Sequence, residues 1–341
     1  MQRKTKLTFA TMNLVTGATG ILGSHLMVML LRKGRKVRAL RRPSSSVALW
    51  NRLVVYFGVT PEQLNLLEWV EGDVLDIPSL EDAMHGCKHV YHCAAIVSYH
   101  PADRAMMYEV NVEGTANVVN VALQLGGIRM CHVSSIAAVG KAKNLDHVDE
   151  ESEWIDSPLN THYAITKHLS EMEVWRGFHE GLSGVIVNPG IIIGMGEDHR
   201  SSGSLIAHIR RGMNYYPMGG TGVVLVNDCA AMMISLMESS IECDRFILVG
   251  ENISMKELFQ KLAKTAGVRI PQLEAKHWML EIVRVCDWFK EKLGGSRAVI
   301  TSESIRNSSQ HYYYNNSKVQ KATKMNFTPL EAQLPEVFEK N

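Results

Sequence analysis

Tyr163 and Lys167 stand four residues apart in the stretch 163–179, where Ile165, Leu169, Met172 and Val174 suit a helix packed on one side. Side chains four apart on a helix share a face, so the phenol and the ammonium are expected to enter one site. A hydride moving between a nicotinamide C4 and a carbonyl carbon leaves charge developing on the oxygen. A phenol supplies the balancing proton if its pKa falls from about 10. A lysine cation beside it favours the phenolate and can also bind the nicotinamide ribose hydroxyls. Ser135, second of the pair Ser134-Ser135, would hydrogen-bond the substrate oxygen. Spacing alone proves little, because with ten tyrosines about one Tyr-x-x-x-Lys pair arises by chance, and Tyr314 and Lys318 repeat it. Placement along the chain separates the two pairs, since only the first has a strand ending in serine upstream.

The elements that would hold these groups are legible as an alternation. Short apolar runs at 13–16, 37–40, 65–71, 89–93, 130–134 and 183–188 are separated by helical stretches, the pattern of strand–helix units in a parallel sheet. Ser135 falls at the carboxyl end of one such strand, where open α/β sheets bind ligands. After Gly194 the rhythm changes. Residues 197–222 read as loops with one short helix at 205–211, 223–226 and 245–249 as further strands, and Ser254 as the cap of a helix starting near 255.

The first strand runs directly into Gly17-Ala18-Thr19-Gly20-Ile21-Leu22-Gly23, followed by an apolar helix over 21–31. Glycines permit the tight turn and close backbone approach, while the helix start directs unpaired N–H groups at a pyrophosphate. About twenty residues on, where an acidic side chain would hold the ribose of NAD, stands Leu40-Arg41-Arg42-Pro43-Ser44. Two guanidiniums and a hydroxyl suit a 2′-phosphate, which points to NADP, with NAD remaining possible. The plainer alternative is that both arginines only solvate a loop. In Gly72-Asp73-Val74, Asp73 either accepts from the adenine amino group or is a turn aspartate.

Composition narrows the class. The 341 residues are 46% hydrophobic, enough for one large core with a smaller appended lobe. Lysine plus arginine (36) balances aspartate plus glutamate (35), so no overall charge argues for nucleic acid or an anionic membrane as partner. Six scattered cysteines include no Cys-x-x-Cys pair, and no metal site is expected. Residues 1–11 lack the apolar stretch of a secretory signal and no window has the length of a membrane span, which makes a cytoplasmic protein the default expectation.

Taken in order, Thr16–Gly23, Gly72-Asp73-Val74, Cys93-Ala94-Ala95, Asn111-Val112-Glu113-Gly114-Thr115, Ser134-Ser135, Tyr163/Lys167 and Asn188-Pro189-Gly190 make the chain resemble the extended short-chain dehydrogenase/reductase (NAD-dependent epimerase/dehydratase) family. The resemblance spans nearly the whole chain. It implies a Rossmann-type doubly wound parallel sheet over 12–194 with returning segments near 223–250. A smaller C-terminal α/β substrate-binding lobe would comprise 195–222 and 251–341. It also implies that Cys93, Ala94 and Ala95 pass beneath the adenosine side of the cofactor and that Asn111 supports the active site. Pro189 and the Gly190 backbone would meet the nicotinamide carboxamide, and the chain would dimerise through helices beginning near Asn111 and Asn160.

Departures from the family's subgroups are informative. Ile136 and Ala137 stand where sugar-nucleotide dehydratases carry an acidic pair, and 187–194 is apolar where epimerases carry arginine and aromatics. With Ala95-Ile96-Val97-Ser98-Tyr99, that segment is similar to the dihydroflavonol 4-reductase and 3β-hydroxysteroid dehydrogenase branch. The expected activity is interconversion of a ketone and a secondary alcohol with NADP, on a small-molecule substrate. The alternatives are an NAD-dependent sugar-nucleotide epimerase and a nonenzymatic dinucleotide sensor. Trp278, Ile282, Val285, Trp288 and Phe289 recur at near-helical spacing in 275–293. A helix packed on the core is favoured there over a lid or an interfacial helix, and Glu281, Asp287 and Glu291, which interrupt its basic face, argue further against membrane binding.

Overall fold

Valine-, leucine- and methionine-rich runs bounded by glycine loops become strands covered on both faces, each followed by a helix that returns the chain to the same edge. The computed structural model describes residues 11–140, 147–158, 160–197, 201–294, 297, 301–308 and 311–339. Its main strands are β1 (Met12–Thr16), β2 (Lys36–Arg41), β3 (Leu67–Glu71), β4 (Cys87–His92), β5 (Arg129–Val133), β6 (Ser183–Pro189), β7 (Ile191–Ile193), β8 (Gly220–Leu225), β9 (Asp244–Leu248) and β10 (Glu251–Ser254). Seven form one parallel sheet in the order β9-β6-β5-β4-β1-β2-β3. Strand order reverses between β1 and β4, and the crevice at such a switch point is where doubly wound sheets bind ligands.

The helices that matter for the site are α1 (Ile21–Arg32), α2 (Gly114–Leu125), α3 (His162–His179), α4 (Val226–Met237), α5 (Met255–Thr265) and α6 (His277–Lys292). One face of the sheet packs on α1 and α4, joining Leu26, Leu30, Met233 and Val187 in one core. The other packs on α2 and α3 through Val118, Val119, Val174 and Phe178. A third core lies under a small sheet ordered β10-β8-β7, where Val223 and Leu225 meet Leu258 and Leu262 of α5. Ser254 caps α5 as its position suggested, accepting from Glu257 N–H at 3.1 Å.

Several expectations shift. The strand expected from residue 65 starts at Leu67, because Thr60 and Gln63 close a capping box around the helical turn Pro61–Leu64. The short helix expected at 205–211 is Ser201–Arg210. Of the segments returning near 223–250, α4 and β9 rejoin the large sheet, whereas β8 pairs with β7 and β10 in the small one. The core-packed reading of 275–293 is overturned: α6 has no buried residue, and Trp278 is 61% exposed. Its apolar stripe faces away from the protein.

Candidate active site

The turn after β1 needs glycine for reasons that can be measured. Gly17 sits at φ +64°, and a Cβ there would lie 2.6 Å from the Ala94 backbone nitrogen; at Gly23 a Cβ would lie 2.3 Å from the Gly17 carbonyl oxygen. The loop is thus pressed against the 93–95 segment while α1 starts directly behind it, with Gly20 as N-cap and no side-chain cap bond. The first amides of a helix lack intrahelical acceptors, so the turn presents donors and positive dipole to an anion. These residues fit a dinucleotide pyrophosphate.

Two cavities meet over this turn. The smaller, about 380 Å³, is lined by Gly17, Thr19, Gly20, Arg41, Arg42, Asp73, Val74, Ala94 and Ala95. The larger, about 770 Å³, is lined by Ile21, Leu22, Gly23, Cys93, Ser135, Tyr163, Lys167, Pro189 and Gly190. Every site residue read from the sequence except Asn111 therefore borders one connected crevice. Arg41 lies against the Trp69 ring, 5.7 Å from its centroid, and 3.5 Å from Glu71. Arg42 is exposed and has no ion-pair partner among the described residues. Asp73 has its turn role, accepting from Leu75 N–H at 3.1 Å.

At the other end, β5 delivers Ser135 and α3 delivers Tyr163 and Lys167. Ser135 hydrogen-bonds the Tyr163 phenol, and its Oγ also accepts from Ala137 N–H at 3.1 Å. Burial pushes the phenol above its ordinary range, opposed by that hydrogen bond. Lys167 Nζ donates to the Val133 carbonyl at 2.7 Å, which uses one of the three protons an ammonium can give. Tyr314 also borders the larger cavity, but it lies in the strand Tyr313–Tyr314, whereas Lys318 lies in the helix Ser317–Thr323 and binds Asp244 at 2.6 Å. The second Tyr-x-x-x-Lys is not a pair on one helix face.

Asn111 is buried and bridges two elements: it accepts from Ile96 N–H at 2.7 Å, donates to the Ile96 carbonyl at 2.9 Å and to Thr166 Oγ at 3.1 Å. It thus ties the 94–100 loop to α3 rather than bordering the cavity. Residues that spacing did not single out complete the frame. Glu171, one turn beyond Lys167, has no exposed surface; it accepts from Asn188 at 2.5 Å and pairs with Arg245 of β9 at 3.4 Å. Asn188 also donates to the Ser135 carbonyl at 3.0 Å. The i, i+4 step from Lys167 to Glu171 was the available signal.

Burial lowers Lys167 to about 8, against the opposing pull of the Glu171 charge. The unfolded chain keeps this proton to about 10.5, so between the two values the unfolded state binds more protons and stability rises with pH. Lys167→Met removes that titration. Its stability relative to wild type, measured by urea unfolding, is expected to fall as pH rises from about 7 to about 10. A difference independent of pH would show that Lys167 holds its proton in the folded chain as firmly as in the unfolded one, and that burial does not lower it.

A glycine turn at the switch point of a doubly wound sheet, continuous with a Ser/Tyr/Lys group, defines a dinucleotide-dependent oxidoreductase. The model of the NAD dependent epimerase/dehydratase family matches residues 13–249, and the chain belongs to that family, an NAD(P)-binding enzyme of the extended short-chain dehydrogenase/reductase type. It is 36% identical over 265 residues to sterol demethylase protein B of Methylococcus capsulatus, covering 76% of each chain. A Synechocystis protein provisionally named dihydroflavonol 4-reductase is 32% identical over 316 residues, 89% of this chain and 87% of that one. The fold is shared with UDP-glucose 4-epimerase from Bifidobacterium longum, solved with NAD+ and UDP, at a TM-score of 0.74 and 18% identity over 96% of this chain and 97% of that one.

Proposed function

We propose that the protein is an NADP-dependent reductase that interconverts an apolar ketone and its secondary alcohol. The observation that carries this reading is the wall of the larger cavity beyond Tyr163. Val97, Ile136, Ile191, Leu205 and Met255 line it together with Tyr99, Tyr312 and Tyr314. Among the described residues there, the arginine is Arg297, and it is already paired with Asp103 at 2.7 Å. A nucleotide diphosphate needs unspent cations, whereas a ring ketone needs apolar area and one polarising contact. The relative named for sterol demethylation accords with an apolar, polycyclic ring.

A dinucleotide held by the glycine turn would supply or accept the hydride. Ser135 holds the substrate oxygen, and Tyr163, hydrogen-bonded to Ser135, gives its proton to that oxygen as charge develops. Lys167 stands as the cation that stabilises the resulting phenolate. Asn111 keeps the 94–100 loop and α3 in register. Stoichiometric NADPH oxidation with a panel of cyclic and aromatic ketones tests the reading. Turnover of a UDP-sugar without net NADPH consumption would replace it with the epimerase alternative.

The choice of NADP rests on Arg41 and Arg42, with Arg42 the freer of the two. Arg41→Ala/Arg42→Ala is expected to weaken NADPH about 10–100-fold, the worth of one or two charged hydrogen bonds, and to leave NADH unchanged. Equal affinities for both cofactors in both proteins would remove the 2′-phosphate role. A homodimer through α2 and α3, which pack side by side, belongs to the same reading. Light scattering of a monomer at micromolar concentration would contradict it.

A further inference from the structure

α6 is an amphipathic helix turned inside out. Trp278, Ile282, Val285, Phe289 and Leu293 fall within an arc of about 80° at 100° per residue, and all five are exposed, from 41% to 87%. The half-buried side carries Met279 and Leu280 but is mainly polar: Glu291 bonds His100 Nε2 at 3.2 Å, and Glu281 pairs with Arg284 at 2.8 Å. The acids that interrupted the basic face in the sequence are therefore committed to protein partners. Lys290 and Lys292 remain exposed on either side of the stripe and Lys276 at the start of the helix, and among the described residues none has an ion-pair partner. Lys292 Nζ lies 5.5 Å from the Trp288 ring centroid. The strand pair leading into the helix adds Tyr215 and Leu273, both exposed and in register with each other.

We infer that α6 is a docking element for an anionic phospholipid surface, lying in the interface plane with its stripe among the acyl chains and its lysines at the headgroups. An aromatic-rich stripe rimmed by uncommitted lysines matches that surface in both polarity and charge. A protein partner of equal apolarity would gain nothing from these unpaired cations, whose desolvation would oppose binding. The placement also has a spatial consequence. His100, the inward anchor of α6, borders the larger cavity, as do Arg297, Thr301 and Ser304 just beyond the helix. Docking would set the cavity rim against the bilayer. The inference does not depend on the reaction carried out inside.

Vesicle co-sedimentation of the full chain, with no substrate or cofactor present, tests it. Wild type is expected to partition onto vesicles of phosphatidylcholine with phosphatidylglycerol at least about tenfold more strongly than onto phosphatidylcholine alone. Trp278→Ser/Phe289→Ser is expected to lower partitioning onto the anionic vesicles about tenfold or more, with an unchanged Tm because neither side chain is buried. Lys290→Glu/Lys292→Glu is expected to abolish the preference for phosphatidylglycerol. No sedimentation with anionic vesicles overturns the inference, as does binding indifferent to the Trp278/Phe289 change. A homodimer in light scattering that the same change dissociates overturns it too, since a second copy would then cover the stripe.

Discussion

Tyr163→Phe is expected to lower turnover by about 10²–10⁴-fold while leaving NADPH binding and Tm close to wild type. The substitution removes one oxygen and leaves the ring packed at 6.4 Å from Tyr99, so neither the cavity wall nor α3 has reason to move. What is lost is the only phenol that Ser135 hydrogen-bonds among the described residues, and with it the proton the substrate oxygen requires. NADPH titration by fluorescence and single-turnover oxidation separate binding from chemistry. Tyr314→Phe is the matched control, since Tyr314 borders the same cavity without a lysine on its own element. It is expected to change KM for substrate more than kcat. Wild-type rates in Tyr163→Phe, or an equal loss in both variants, would remove Tyr163 as the proton donor.

The largest effect on stability is expected at Arg245. Its guanidinium pairs with the fully buried Glu171 carboxylate at 3.4 Å and donates to the backbone carbonyls of Glu150 and Ser152, the latter at 3.2 Å. Glu150 returns the contact by accepting from Ile247 N–H at 2.8 Å, so β9 holds both α3 and the 147–158 segment. Arg245→Ala leaves Glu171 buried without its cation, which costs about 3–5 kcal/mol in such settings. Urea unfolding reads this directly. Arg245→Met/Glu171→Leu, which removes both charges and keeps the volume, is expected to recover most of the loss. A loss under about 1 kcal/mol in Arg245→Ala would mean that water replaces the guanidinium and that the pair is not a structural clamp.

How much of the site was legible depended on how local its logic is. The glycine turn, the strand ends and the Tyr163/Lys167 pair obey rules of a few residues' reach, with a periodicity of two or nearly four, and they appear where those rules put them. Two partners have a meaning that is relational: local spacing misses Glu171, and Asn111 is singled out by the family resemblance alone. Glu171 reads as an ordinary helix glutamate until β9, 74 positions away, brings Arg245 against it. Asn111 acquires a hydrogen-bonding role only when its helix meets Thr166, 55 positions on. In a parallel sheet, neighbours in space are separated by whole crossover units, so such contacts leave no mark in local spacing.

The sequence by itself determined the sheet class, the dinucleotide turn and the order of the reactive groups, because backbone sterics at Gly17 and the shared face of Tyr163 and Lys167 are set within one turn of chain. Only the tertiary structure decided which face of α6 meets solvent and where Lys167 spends its proton. Hydrophobic periodicity reports that a helix has two faces, but which one is covered depends on the packing of distant segments. The burial of Lys167 and its bond to Val133 likewise depend on β5 and α3 closing over it, and that desolvation, absent from any local pattern, sets its charge.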